Sequence, residues 1–81
     1  MKERIREIVI EHARLPAEAK VIDDSTDLYM AGMTSYASVA LMLALENEFE
    51  LEFPDSMLSR GVFQTVDNIA NAIQTLHQMA L

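Results

Sequence analysis

Ile5, Ile8 and Val9, with His12 one turn further on, recur at helical spacing in an otherwise charged stretch, so residues 2–13 read as a helix with one buried stripe. Leu15-Pro16 ends that pattern, and from there to Thr34 neither a 3.6-residue nor a 2-residue period persists. Residues 14–34 are therefore expected to form a long loop, pinned to a core by Leu15, Val21, Ile22 and Leu28. Residues 35–50 have no Gly or Pro and are strongly helical, with Thr34 or Ser35 as N-cap. Phe53-Pro54-Asp55 stops this helix; Asp55 is placed to cap a short third helix over 56–60, which Gly61 ends. Thr65 caps a last helix in which Val66, Ile69, Ala70, Ile73, Leu76 and Ala80 keep helical spacing. No β-branched alternation occurs anywhere, so the fold class is all-α, a small helical bundle.

The second helix is unusual in being apolar on more than one side. At 100° per residue, Ser38, Leu41, Met42, Leu45 and Phe49 share one face, a sufficient core stripe. Tyr36, Val39, Ala40 and Leu43 gather roughly opposite, with Asn47 continuing them. Such a strip suits a partner, unless the loop folds over it. Glu46, Glu48, Glu50, Glu52 and Asp55 come next without a base between them, which would give the strip an acidic rim, although a charge run is more often a solvated face.

Composition narrows the function. The 81 residues support one domain, 1–81, and the absence of Cys excludes disulfides, thiolate metal sites and a cysteine nucleophile. The net charge of −7 disfavours nucleic acid and anionic membrane surfaces. It is unevenly placed: residues 1–20 hold five bases against four acids, whereas residues 21–81 hold nine acids and one base, Arg60. The longest apolar run, the seven residues Val39 to Leu45, is far too short to span a membrane, and a cytoplasmic protein is expected.

Several sites are absent. Asp23, Ser25 and Asp27 have the first spacings of a calcium loop, but Leu28 and Thr34 stand where Gly and Glu are required. His12 and His77 lie far apart in the chain and suggest no metal site. Gly32-Met33-Thr34-Ser35 lacks the glycine that comes after the serine of a nucleophile elbow, and two glycines in all rule out a Gly-rich phosphate loop. No catalytic constellation is found, and the chain does not read as an enzyme. Ser35 stands out only by position: at the first turn of a helix a phosphodiester on its hydroxyl would be well tolerated, although an ordinary N-cap is the simpler reading.

Taken together, Ala31-Gly32-Met33-Thr34-Ser35-Tyr36-Ala37-Ser38-Val39, Leu45-Glu46-Asn47-Glu48-Phe49, Phe53-Pro54-Asp55 and Thr65-Val66-Asp67-Asn68-Ile69 resemble the acyl carrier proteins in register over nearly the whole chain. The resemblance implies a four-helix bundle with a short third helix. It implies that Ser35 carries 4′-phosphopantetheine, whose thiol holds an acyl group as a thioester, and that Tyr36, Val39, Ala40, Leu43 and Asn47 dock partner enzymes. Those partners would be a phosphopantetheinyl transferase, an activating ligase and a downstream acyl or aminoacyl transferase. Because the docking face is needed for them, a monomer is expected.

Departures from the family pattern narrow this further. Thr34 stands where the family usually has Asp, Tyr36 where it has Leu, and Ala40 where fatty-acid carriers often have Glu. The segment from Gly32 to Val39, with Glu52-Phe53-Pro54-Asp55, is more similar to a specialised branch. That branch includes small bacterial carriers aminoacylated by homologues of class II seryl-tRNA synthetases, which make an aminoacyl adenylate and pass the amino acid to the pantetheine thiol. The alternatives are a stand-alone carrier for a lipid, polyketide or peptide pathway and an unmodified helical adaptor using the same strip.

Overall fold

The computed structural model describes residues 1–16 and 22–79. They form three α-helices, α1 (Lys2–His12), α2 (Ser35–Phe49) and α3 (Val66–Met79), with a single 3₁₀ turn at Asp55–Met57 and no strand among the described residues. The protein is all-helical, as the sequence pattern predicts.

The core is where the three helices meet. α1 contributes Ile5, Ile8 and Val9, α2 contributes Ala37, Leu41 and Leu45, and α3 contributes Val66, Ile69, Ala70 and Ile73. Leu28 from the turns before α2 is fully buried among them, and Leu15, Phe53 and Phe63 close the edges. The two phenylalanines meet edge to face, 5.2 Å between centroids at 70°, the arrangement that aromatic quadrupoles favour.

The bases of α1 each reach a different part of the acidic remainder. Lys2 Nζ lies 2.8 Å from Asp67 Oδ1 in α3, a charge contact without hydrogen-bond alignment. Arg4 bridges Glu7 and, 2.9 Å away, Glu48 of α2. Arg6 pairs with Asp24. The Lys2 and Arg4 pairs are exposed and add little stability individually, whereas the Arg6–Asp24 pair is part-buried.

Several sequence expectations are corrected. His12 is exposed instead of completing the buried stripe of α1; Ala13 takes the inward place, its N–H bonded to Val9 O at 2.8 Å, and the chain then turns sharply at Arg14 with φ 55°. Ser38 is only half-buried, its hydroxyl donating to Ser35 O at 2.7 Å. Ala37 faces the core in its stead, because the inward stripe runs Ala37, Leu41, Leu45 in steps of four. The turn after Pro54 covers Asp55–Met57 and not 56–60; Pro54 is its N-cap without a side-chain bond, and Leu58 rather than Gly61 ends it.

Residues 22–34 hold no helix and proceed by turns. Of the residues expected to pin the loop, Leu15 and Leu28 are buried and Ile22 packs partly against the core. Val21 lies outside the described residues, as does Ala80 of the last helix. The aspartates weighed as calcium ligands build the turns instead. Asp23 Oδ1 accepts from Ser25 N–H at 2.9 Å and from the Thr26 hydroxyl at 3.0 Å. Asp27 Oδ1 accepts from Met30 N–H at 3.1 Å and Oδ2 from Gln64 Nε2 at 2.7 Å. These bonds depress the carboxyls of both aspartates, through the Ser25 hydroxyl first for Asp23 and Gln64 first for Asp27. Side-chain bonds to nearby backbone are the alternative to helix that Asp, Ser and Thr offer.

Candidate functional site

The site is the head of α2, and the chain is led into it under tight constraint. Gly32 sits at φ 121°, and a Cβ there would lie 2.8 Å from Pro16 Cδ, so both backbone and space demand glycine. Met33 comes next as a buried anchor, its N–H bonded to Leu28 O at 2.9 Å. Thr34, extended at φ −83° and ψ 164°, caps the helix: its hydroxyl accepts from Ala37 N–H at 3.0 Å. Of the two cap candidates in the sequence, Thr34 is therefore the cap.

That leaves Ser35 as the first helical residue, exposed, its hydroxyl without a partner among the described residues. No carboxylate lies in the first turn of α2 to oppose an anion on that oxygen. An anion at this position would face the positive end of the helix with no acidic side chain in its first turn.

Two surfaces flank Ser35. Along α2 run Tyr36, Val39 and Leu43, 74%, 52% and 56% exposed, the apolar strip expected from the sequence. Asn47 is exposed at its far end, while Ala40 is half-buried at its edge. The guanidinium of Arg14 lies over the Tyr36 ring, 5.7 Å from its centroid. Beside the strip is a cleft of about 320 Å³ whose walls include Tyr29, Ser35, Val39, Met42, Arg60 and Phe63. Arg60 stacks on Tyr29 at 4.0 Å.

The acidic run that begins in the last turns of α2 is partly structural. Glu46 closes the helix, its carbonyl accepting from the Glu50 and Leu51 N–H groups and its carboxylate from Phe53 N–H at 2.8 Å. Glu48 is paired with Arg4, which holds its carboxyl below the usual range. The rim therefore has fewer unengaged carboxylates than the sequence suggests. Sequence reasoning missed Tyr29, Arg60 and Met30, which is 82% exposed on the turn before Ser35. Only Arg60, the lone base after residue 20, had a visible signal. Among the described residues no cluster of three or more His, Cys, Asp or Glu could hold a metal, and no helix is long and apolar enough to cross a membrane.

A small helical scaffold with an exposed serine at the head of a helix, beside an apolar strip, suits a carrier. The chain belongs to the phosphopantetheine attachment family, whose pattern matches residues 3–73. It is 41% identical over 76 residues to an aminoacyl carrier protein of Agrobacterium fabrum, covering 94% of this chain and 92% of that one. It is 38% identical over 72 residues to an acyl carrier protein of Phenylobacterium zucineum, covering 89% and 87%. Its fold matches, at a TM-score of 0.85 and 42% identity, a chain in the crystal structure of an engineered Bradyrhizobium japonicum glycine:[carrier protein] ligase complexed with a carrier protein from Agrobacterium tumefaciens and AMP. That match covers 91% of this chain and 99% of the other.

Proposed function

We propose that this protein is an aminoacyl carrier: 4′-phosphopantetheine on Ser35 holds an amino acid as a thioester, placed there by an ATP-dependent amino acid:carrier protein ligase. The observation that carries this reading is the division of labour at the head of α2. Thr34 makes the helix cap and leaves the Ser35 hydroxyl exposed beside the Tyr36, Val39 and Leu43 strip. The prosthetic group supplies the thiol that a chain without Cys lacks. Everything else is done by the chain's own surface: it presents Ser35 to a phosphopantetheinyl transferase, and it offers Tyr36, Val39, Ala40, Leu43 and Asn47 to the ligase and then to a downstream transferase. Such docking must be reversible, which suits a small apolar patch with charges at its margins.

The neutral head of α2, with Thr34 as cap and no acid in the first turn, supports the aminoacyl branch over general fatty-acid service. Similarity to the Phenylobacterium acyl carrier protein keeps a second reading in view, a stand-alone acyl carrier for a lipid, polyketide or peptide pathway. In either case residues 1–81 act as one carrier domain, a monomer working in the cytoplasm, and the Asp55–Met57 turn takes the place of the short third helix in a four-helix bundle.

The test is intact mass after incubation with coenzyme A and a broad-specificity phosphopantetheinyl transferase, wild type beside Ser35→Ala. One phosphopantetheine on the wild type alone supports the assignment. The same gain on Ser35→Ala refutes the residue, and no gain on either refutes the carrier in favour of an unmodified adaptor. Offering the modified protein glycine, ATP and a glycine:carrier protein ligase then separates aminoacyl from acyl service.

A further inference from the structure

Arg60 is the single Lys or Arg among residues 21–81, in a stretch with nine acids. Even so, it forms no ion pair among the described residues. Its guanidinium lies over the Tyr29 ring, 4.0 Å from the centroid, and both side chains line the same cleft as Ser35. Asp27, the carboxylate that feels Arg60, has both oxygens engaged by Gln64 and Met30. Tyr29 is held in turn by its neighbours: Leu28 is fully buried and donates its N–H to Gln64 O at 2.7 Å. A guanidinium stacked on an aromatic face keeps its N–H edge available, and that edge matches the paired oxygens of a phosphate.

Resting on Ser35 as the attachment point, we propose that Arg60 is the counter-charge for the phosphodiester of the prosthetic group, and that it lays the arm along this cleft in the resting carrier. The cleft, about 320 Å³, is at the lower end of small-molecule sites. Its Val39, Met42, Leu58 and Phe63 suit the methylenes of the arm, and the hydroxyls of Ser38 and Ser59 suit its amides.

Because the chain has no Cys, the pantetheine thiol is the one site at which a maleimide spin label attaches to the modified protein. Paramagnetic broadening of the Met42, Ser59 and Phe63 amides reports the docked arm, and the ³¹P resonance reports the phosphodiester directly. Wild type is expected to show broadening. Arg60→Gln shifts the docked-to-undocked ratio by roughly two- to fivefold, the range of an exposed ion pair, and moves the ³¹P resonance. Arg60→Lys restores part of both. Raising ionic strength from about 0.01 to 1 M, which shortens screening from about 30 to 3 Å, reduces the wild-type effect toward that of Arg60→Gln. Unbroadened amides in wild type, or equal broadening in Arg60→Gln, overturn the proposal. Intact mass separates the two levels: with the arm installed, those results sink only the role of Arg60, whereas failure to install it sinks the Ser35 assignment and this proposal together.

Discussion

Thr34 and Ser35 are adjacent hydroxyl residues with opposite roles, and exchanging each for alanine separates them. Thr34→Ala removes the acceptor of the 3.0 Å bond from Ala37 N–H and leaves one more helix-terminal donor without a protein partner. Loss of such a cap costs about 0.5–2 kcal/mol, and for a domain of this size each kcal/mol lowers Tm by about 4–8 °C. Ser35→Ala removes a hydroxyl that bonds nothing among the described residues, and its stability change should stay within about 0.5 kcal/mol. Thermal melts followed by helical circular dichroism measure both, with Thr34→Asp as a control that keeps a capping oxygen. The same samples go to the transferase and coenzyme A: Thr34→Ala below its melting point should still gain the prosthetic group, and Ser35→Ala should not. A larger loss of stability in Ser35→Ala than in Thr34→Ala would show that Ser35 is the cap, and its hydroxyl could no longer be counted as unengaged.

Three further outcomes are expected. Leu43→Asp, at a position 56% exposed, should raise the KM of ligase loading several-fold while leaving the urea midpoint nearly unchanged; a matching loss of stability would place Leu43 in the core. Gly32→Ala forces a side chain into left-handed backbone and against Pro16 Cδ at 2.8 Å, so it should cost more than about 1 kcal/mol in denaturant unfolding. Asp27 titrates below the ordinary aspartate range, chiefly because Gln64 donates to it. A depressed folded-state value means that its contribution to stability is present in full above about pH 4 and is lost as pH falls through the lower folded value. In Gln64→Ala the NMR-detected titration of Asp27 should therefore move upward, and an unchanged midpoint would assign the depression to other groups.

Local pattern was enough for the helices because each has a cause within a few residues. Thr34 and Thr65 each precede a helix they are suited to cap, and Thr65 caps α3 with its hydroxyl accepting from Asn68 N–H at 3.0 Å. The spacing of Ile5, Ile8 and Val9 or of Val66, Ile69, Ala70 and Ile73 marks a single wet and a single dry side. The end of α2 was less legible: the helix stops at Phe49, where Glu50 turns left-handed at φ 52°, before the Phe53-Pro54-Asp55 expected to stop it. In α2 the same method located the strip of Tyr36, Val39 and Leu43 and, on the inward face, Leu41 and Leu45 with Met42 and Phe49 packed partly against the core, yet it put Ser38 where Ala37 faces inward. A helix apolar nearly all round has no polar face to define the opposite one, so Ala37 and Ser38 could not be told apart by period. His12 failed for a related reason, since the last turn of α1 ends before its face is decided and the turn at Arg14 brings Ala13 inward.

All-helical class, the presence of Ser35 at the head of a helix and the missing thiol were properties of the chain, legible because they depend on near neighbours and on counting residue types. The cleft was not. Its walls join Tyr29 to Arg60, which lie far apart in sequence, and depend on the bonds from Leu28 N–H to Gln64 O and from Gln64 Nε2 to Asp27. Those contacts exist only once the three helices have packed and drawn the turns before α2 and α3 together. Whether a charge is engaged or available is likewise a matter of distance through space: Glu46 and Glu48 are bound into the scaffold, and Arg60 is left on a tyrosine beside the serine.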